Sequence, residues 1–364
     1  MHIKSVQILR FQIRRASIAS QACVWLLPSC FSLGIGILAL LPLGCIQQTD
    51  NQVVVFSALD REFSQNEFDQ FSKATAIRVL PKYDTESTKT VGLANQILQQ
   101  GEGSQCDVFW NNEILHTLRL QKAGLLQTVE ISEAQFFSPT FRSPDQQWFG
   151  LAARARVFIV NTDLLTDSSQ YPSSINALTD PHWAGKACIA KPLFGTTATH
   201  FAVLYQIWGK DQFQTFVSQL PTNHVAVVSG NRQVAADVAA GKYAFGLTDT
   251  DDYNLEAEAG SPVAMVFPDQ DPKLMGTLLI PNTVAVIKGT KNRENAIKLI
   301  QYALSGTVET SLATGPSAQF PLDTRLKIRS KLEVQPTPRY LNVDWNRTVE
   351  AWQESSKLLK ALYY

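Results

Sequence analysis

Short, wholly apolar runs alternate with helix-spaced apolar positions along this chain. Val53-Val-Val-Phe56 has no polar position, the mark of a strand buried on both faces. Behind Ser64-x-x-Glu67, a capping-box pattern, Phe68, Phe71 and Ala74 recur at helical spacing. Ile77-Arg-Val-Leu80 predicts a second strand, and Tyr83 to Thr90 a polar loop carrying Asp84, Glu86 and Thr88. Val91, Ala94, Ile97 and Leu98 predict a second helix. Cys106 to Phe109 predicts the end of a third strand, with Asn112 placed to cap the next helix and Glu113 in its first turn. This order implies a parallel sheet with right-handed crossovers. Such sheets bind ligands at the carboxyl ends of their strands, which here deliver Asp60, Asp84, Glu86 and Glu113.

The second half repeats the pattern with different chemistry. Trp148 to Val160 predicts a long strand, with Arg154 and Arg156 on one face at its start and one of them expected in a cleft. After Lys186 to Ala190, Gly195-Thr196-Thr197 opens a helix running through His200 and Ile207, a candidate anion site. A helix over Phe213 to Leu220 and a strand over His224 to Val228 follow, and Gly230-Asn231-Arg232 opens the next helix. Tyr243 to Leu247 predicts a strand ending in Thr248-Asp-Thr-Asp-Asp252. Carboxylates this close repel unless they are solvated, capping or paired with a cation. Val263 to Phe267 and Leu278 to Ile287 predict strands, the latter crossing between two lobes with residues 151–160. A helix over 292–304, a loop from Gly315 to Pro321 and a terminal helix using Val349, Trp352 and Leu359 complete the pattern.

Length and charge narrow the class. The 364 residues suit two domains and a leader, and 32 basic against 32 acidic residues argue against a general nucleic-acid binder. Residues 1–45 carry Lys4, Arg10, Arg14 and Arg15 without an acid, then an apolar run from Ala22 to Leu43, which predicts an export signal. Its ending, Leu-Pro-Leu-Gly-Cys45, resembles a lipoprotein box with Cys45 as the lipidated residue; an uncleaved membrane anchor is the alternative. Three of five cysteines lie in this leader. Cys106 and Cys188 fall in strands of different halves, which predicts two buried thiols. No GxSxG, HExxH or Walker-type loop is present, and we expect no enzyme activity and no cofactor.

The residues Asp107-Val-Phe with Glu113, Trp183-Ala-Gly-Lys186, Asn231 through Gly241, Tyr253-Asn-Leu255 and Gly315 to Pro321 resemble bacterial extracellular solute-binding proteins of ABC importers. The group is the one containing ferric-ion-binding proteins. The resemblance implies an α/β fold of two lobes, each a mostly parallel sheet flanked by helices, joined by crossing strands and closing on ligand. Residues 1–45 would be the leader, 51–153 with about 280–320 one lobe, and 154–279 with about 321–364 the other. It implies a monomer working with an importer permease and ATPase in the inner membrane, periplasmic or on the outer face of the cell membrane.

In ferric binders the cargo is a metal held by a histidine, a glutamate and two adjacent tyrosines, with a companion anion. Glu113 matches the glutamate, and Arg154, Thr196, Thr197 and Asn231 match the anion side. The histidine position falls near Asp60, and the tyrosines fall on Thr250 and Asp251. The implied ligand set is therefore Asp60, Glu113, Arg154, Thr196, Thr197, Asn231, Thr250 and Asp251, with Asp60, Glu113 and Asp251 on the metal. Oxygen ligands suit Fe3+ or another hard ion. An amine-bearing phosphate or phosphonate zwitterion fits the same mixture of acids and anion donors, and a ligand-sensing partner of a membrane receptor is a further alternative.

Overall fold

The computed structural model describes residues 51–84 and 91–363. The leader with Cys45, and Glu86 and Thr88, lie outside the described residues. β1 (Gln52–Ser57) is followed by α1 (Arg61–Thr75), β2 (Arg78–Tyr83), α2 (Val91–Gln100), β3 (Val108–Asn111) and α3 (Leu115–Lys122). β1 lies between β2 and β3, parallel to both, as expected of continuous apolar strands joined by helical crossovers. Then come β4 (Phe149–Asn161), β5 (Ala187–Ala190) and α4 (Gly195–Thr222), which is broken at Gly209 with φ +75°. β6 (Ala226–Val228), α5 (Asn231–Ala239), β7 (Phe245–Asp249), α6 (Thr250–Glu258) and β8 (Val263–Val266) complete the second half. The chain returns through β9 (Leu279–Val286) to α7 (Arg293–Ala303), α8 (Thr307–Thr314) and α9 (Trp345–Tyr363).

The strand order is β2-β1-β3-β9-β4-β7-β5-β6, with β8 also on β4. β4 is the strand shared by both halves. Its first part, Phe149 to Ala155, pairs antiparallel with β9, and Arg156 to Val160 pairs antiparallel with β7. β9 starts beside the junction and runs between β4 and β3. Apolar clusters cover both faces of the first half, around Phe68 and Trp110 on one side and Phe109 and Ile97 on the other. Another cluster, around Phe158, Phe201 and Phe245, fills the second half. On the other face of that half, α5 lies so close to β7 that a Cβ on Gly246 would come within 2.4 Å of Val234. That approach carries Asn231, the first residue of α5, over the end of β7. Cys106 and Cys188 are unpaired and buried, and burial pushes both thiols up, which leaves them inert.

Four local expectations change. α1 starts at Arg61, so Ser64 lies inside the helix and bonds the Leu59 and Asp60 carbonyls instead of capping. β3 is displaced by two residues from the predicted Cys106–Phe109. Asn112 does not cap α3: the Glu113 carboxylate accepts the N–H groups of Leu115 and His116 and takes that role. α8 was not expected, because its threonine-rich sequence has weak helical preference.

β4 bends where it leaves the first half. The register slips between Leu151 and Ala153, and Ala152 sits at φ +33°, a strained value for alanine. Glu309 of α8 holds this bulge by accepting the Ala152 N–H at 2.6 Å. The same carboxylate accepts from Leu322 N at 3.0 Å and Asp323 N at 2.7 Å. Removing it strands buried N–H groups, so Glu309→Ala should lower the unfolding free energy by about 3 kcal/mol in urea titrations. Burial raises the Glu309 pKa above its ordinary value, against the opposing pull of its backbone donors. The stability tied to that shift is complete below the ordinary glutamate range and is lost as pH rises through the raised value. The margin of wild type over Glu309→Gln, measured by the same titrations, should therefore shrink as pH rises above the ordinary glutamate range.

Candidate functional site

A small cavity lies where the strand ends of the two halves meet. Asp60, after β1, and Asn112, after β3, line it from the first half. Thr196 of α4, Asn231 of α5 and Asp249, Asp251 and Asp252 around the start of α6 line it from the second, and Arg154 from β4. Lys191 also reaches it. The cavity offers about 30 Å³ to the centres of water-sized groups.

One buried ion pair organises the second-half side. Arg156 and Asp249 meet at 2.6 Å, with side chains 0% and 3% exposed. Arg156 Nη1 also donates to Thr196 Oγ1 and Asn231 Oδ1, both at 3.2 Å, and Nη2 donates to Thr197 Oγ1 at 3.2 Å. Asp249 Oδ2 accepts from Thr196 Oγ1 at 2.5 Å and from Asn231 Nδ2 at 2.9 Å. Thr197 Oγ1 donates to Asn231 Oδ1 at 3.0 Å. β4, α4, α5 and β7 thus converge on one carboxylate.

Arg154 forms the second pair, its Nε 3.4 Å from Asp251 Oδ2, while its Nη2 donates to Asn282 Oδ1 at 3.0 Å. Burial lowers the Arg154 pKa, but Asp251, Asp249, Asp60 and Asp252 outweigh it, so the guanidinium stays charged. The oxygens of Asp249, Asp251 and Asp252 can come within 4.8 Å of one another, the spacing of a shared cation.

The structure brings together five of the eight residues singled out from the sequence: Asp60, Arg154, Thr196, Asn231 and Asp251. Thr197 stands behind them, bonded to Arg156 and Asn231. Thr250 is turned away and accepts the Ala155 N–H at 3.2 Å. Glu113 is also turned away. Its Oε1 accepts from Asn111 Nδ2 at 2.8 Å and His116 N at 3.0 Å, and its Oε2 from Thr199 Oγ1 at 2.8 Å. Burial still pushes its pKa up against these donors. Asn112, one residue earlier, takes the cavity position instead. The displaced end of β3 is the signal that sequence reading lacked: with the strand running to Asn111, Asn112 is the first residue beyond it.

A family model of bacterial extracellular solute-binding proteins matches residues 68–321. A Fe(3+)-binding periplasmic protein of Serratia marcescens is 24% identical over 276 residues, covering 74% of this chain and 79% of its own. Iron uptake protein A1 of Synechocystis is 27% identical over 255 residues, covering 67% of this chain and 68% of its own. The crystal structure of apo ferric ion-binding protein A of Pasteurella haemolytica shares the fold, with TM-score 0.76, 22% identity, and 86% of this chain and 98% of that one covered. The two-lobed α/β architecture, its shared strand and the extent of the family match agree: this chain belongs to the bacterial extracellular solute-binding proteins.

Proposed function

We propose that this protein captures a hard metal ion, with ferric iron the favoured cargo, in the cleft between its halves and delivers it to an ABC importer. The observation that carries this reading is the acidic turn at the start of α6, three carboxylates close enough to share a cation. Asp60 faces the same cavity. Among the described residues, four lining carboxylates stand against Arg154, Lys191 and the buried Arg156 behind them, an excess of one negative charge. A cation offsets that excess, and carboxylate oxygens suit a hard one. The iron-binding names of the relatives point the same way. Without a tyrosine pair at Thr250 and Asp251, the ligands on the metal are Asp251, Asp252 and Asp60, all on the cavity wall.

Capture needs no bond-making chemistry, in keeping with a family of binding proteins. Ligand that bridges both halves favours the closed arrangement by its differential affinity alone. The permease and ATPase, export through the leader and anchoring through Cys45 belong to this proposal. Among the described residues no helix is long and apolar enough to cross a membrane.

Lys191 on the cavity wall favours a second reading, an amine-bearing phosphonate held with its anion at Lys191 and the start of α4. A thermal-shift panel separates the two, using ferric citrate, Mn2+, Ca2+, aminoethylphosphonate and phosphate. A ligand at 100 times its dissociation constant should add about 2.7 kcal/mol of stability. The metal reading expects shifts with the metals alone; a shift confined to aminoethylphosphonate would overturn it. Asp251→Ala should weaken metal binding about tenfold or more, a loss of about 1.4 kcal/mol, measured by equilibrium dialysis. Unchanged affinity would remove the acidic turn from the site.

A further inference from the structure

Asp249 stands where the donors of the second half converge. Its carboxylate accepts from Arg156 Nη1, Thr196 Oγ1 and Asn231 Nδ2 at 2.6, 2.5 and 2.9 Å. Thr196 and Asn231 are two of the groups expected to hold a companion anion beside the metal, and in this chain they hold a side chain. The Asp249 carboxylate is nevertheless part of the cluster with Asp251 and Asp252. On the facing wall, Asn112 is 2% exposed and its Oδ1 has no hydrogen-bond partner. A buried amide oxygen left without a donor costs about 1–3 kcal/mol, so its presence against the cavity points to a ligand that satisfies it.

We infer that the chain supplies its own anion: Asp249 takes the companion anion's place, and the cavity binds a hard cation without one, with Asn112 Oδ1 as a neutral ligand from the opposite half. This rests on the metal reading above and deepens it. A tethered carboxylate, already aligned by three donors, gives up no translational freedom when the cation arrives, whereas a free anion does.

The test titrates Tb3+ chloride, followed by luminescence, and Mn2+ chloride, followed by loss of the free-ion resonance, into the purified protein. The buffer is free of carbonate, phosphate and citrate, and acetate or hydrogencarbonate is then added in turn. Wild type should bind at full strength without either anion. Asp249→Ala should bind about tenfold or more weakly and regain affinity when acetate is added, because the small carboxylate re-enters the place vacated among the three donors. Asn112→Leu should lose about tenfold in affinity with its thermal unfolding unchanged or raised. A wild-type affinity that rises about tenfold on adding acetate or hydrogencarbonate would overturn the inference while leaving the metal reading intact, and it needs no variant to fold. Wild-type affinity in Asp249→Ala overturns it as well, and wild-type affinity in Asn112→Leu removes that ligand. Failure of wild type to bind either metal under any of these conditions overturns the metal reading, and this inference with it.

Discussion

The Arg156–Asp249 pair is the constraint on which the second half depends. Both side chains are buried, and a buried pair is stable only when its remaining hydrogen-bonding capacity is satisfied. Here Thr196, Thr197 and Asn231 satisfy most of it, leaving the Arg156 Nε–H without an acceptor, and each is the first or nearly the first residue of its helix. Their positions follow from the pair. α4 and α5 must begin where their side chains can reach the charges, and β4 and β7 must pair in the register that sets Arg156 opposite Asp249. The close packing of α5 on β7 at Gly246 completes the geometry. The proposed cation site is thus built on a hydrogen-bonded polar network at strand and helix ends rather than on a loop, which fixes ligand oxygens better than loop placement does.

A second chain of contacts links that site to the bend between the halves. Asp251 pairs with Arg154, Arg154 donates to Asn282, and Asn282 donates to the carbonyl of Leu151 beside the strained Ala152. Glu309 grips the other side of the same bulge. A change in charge at Asp251 therefore acts on Arg154, and through it on the strand that both halves share. This is a contiguous route of polar contacts between the cavity and the bend.

The first half contributes differently. Glu113, the residue that the sequence marks most strongly, is a structural group. It ends β3 by capping α3 and reaches across to Thr199 of α4. It thereby ties the two halves together on one side of the cavity, while Asn112 presents the polar group to the ligand space. A carboxylate buried among four donors is costly to move, so this contact acts as a fixed point about which the rest of the cleft is arranged.

The sequence by itself determined the α/β architecture, because apolar runs too short for a helix favour strands covered on both faces and the intervening helix-spaced positions supply the cover. It also brought the acidic turn, the Gly-Thr-Thr turn and Asn231 into view, since strand ends meeting helix starts are readable from local pattern. It could not decide between Asn112 and Glu113. β3 runs two residues further than its apolar pattern predicts, so Asn112 faces the cleft while the Glu113 carboxylate turns back to the start of α3, and local propensity does not fix a strand end to within a residue or two. Nor could it show that Asp249 accepts from the groups expected to hold an anion. That depends on Arg156, Thr196 and Asn231 meeting across 93, 53 and 18 positions of chain, which only the folded sheet brings within hydrogen-bond reach.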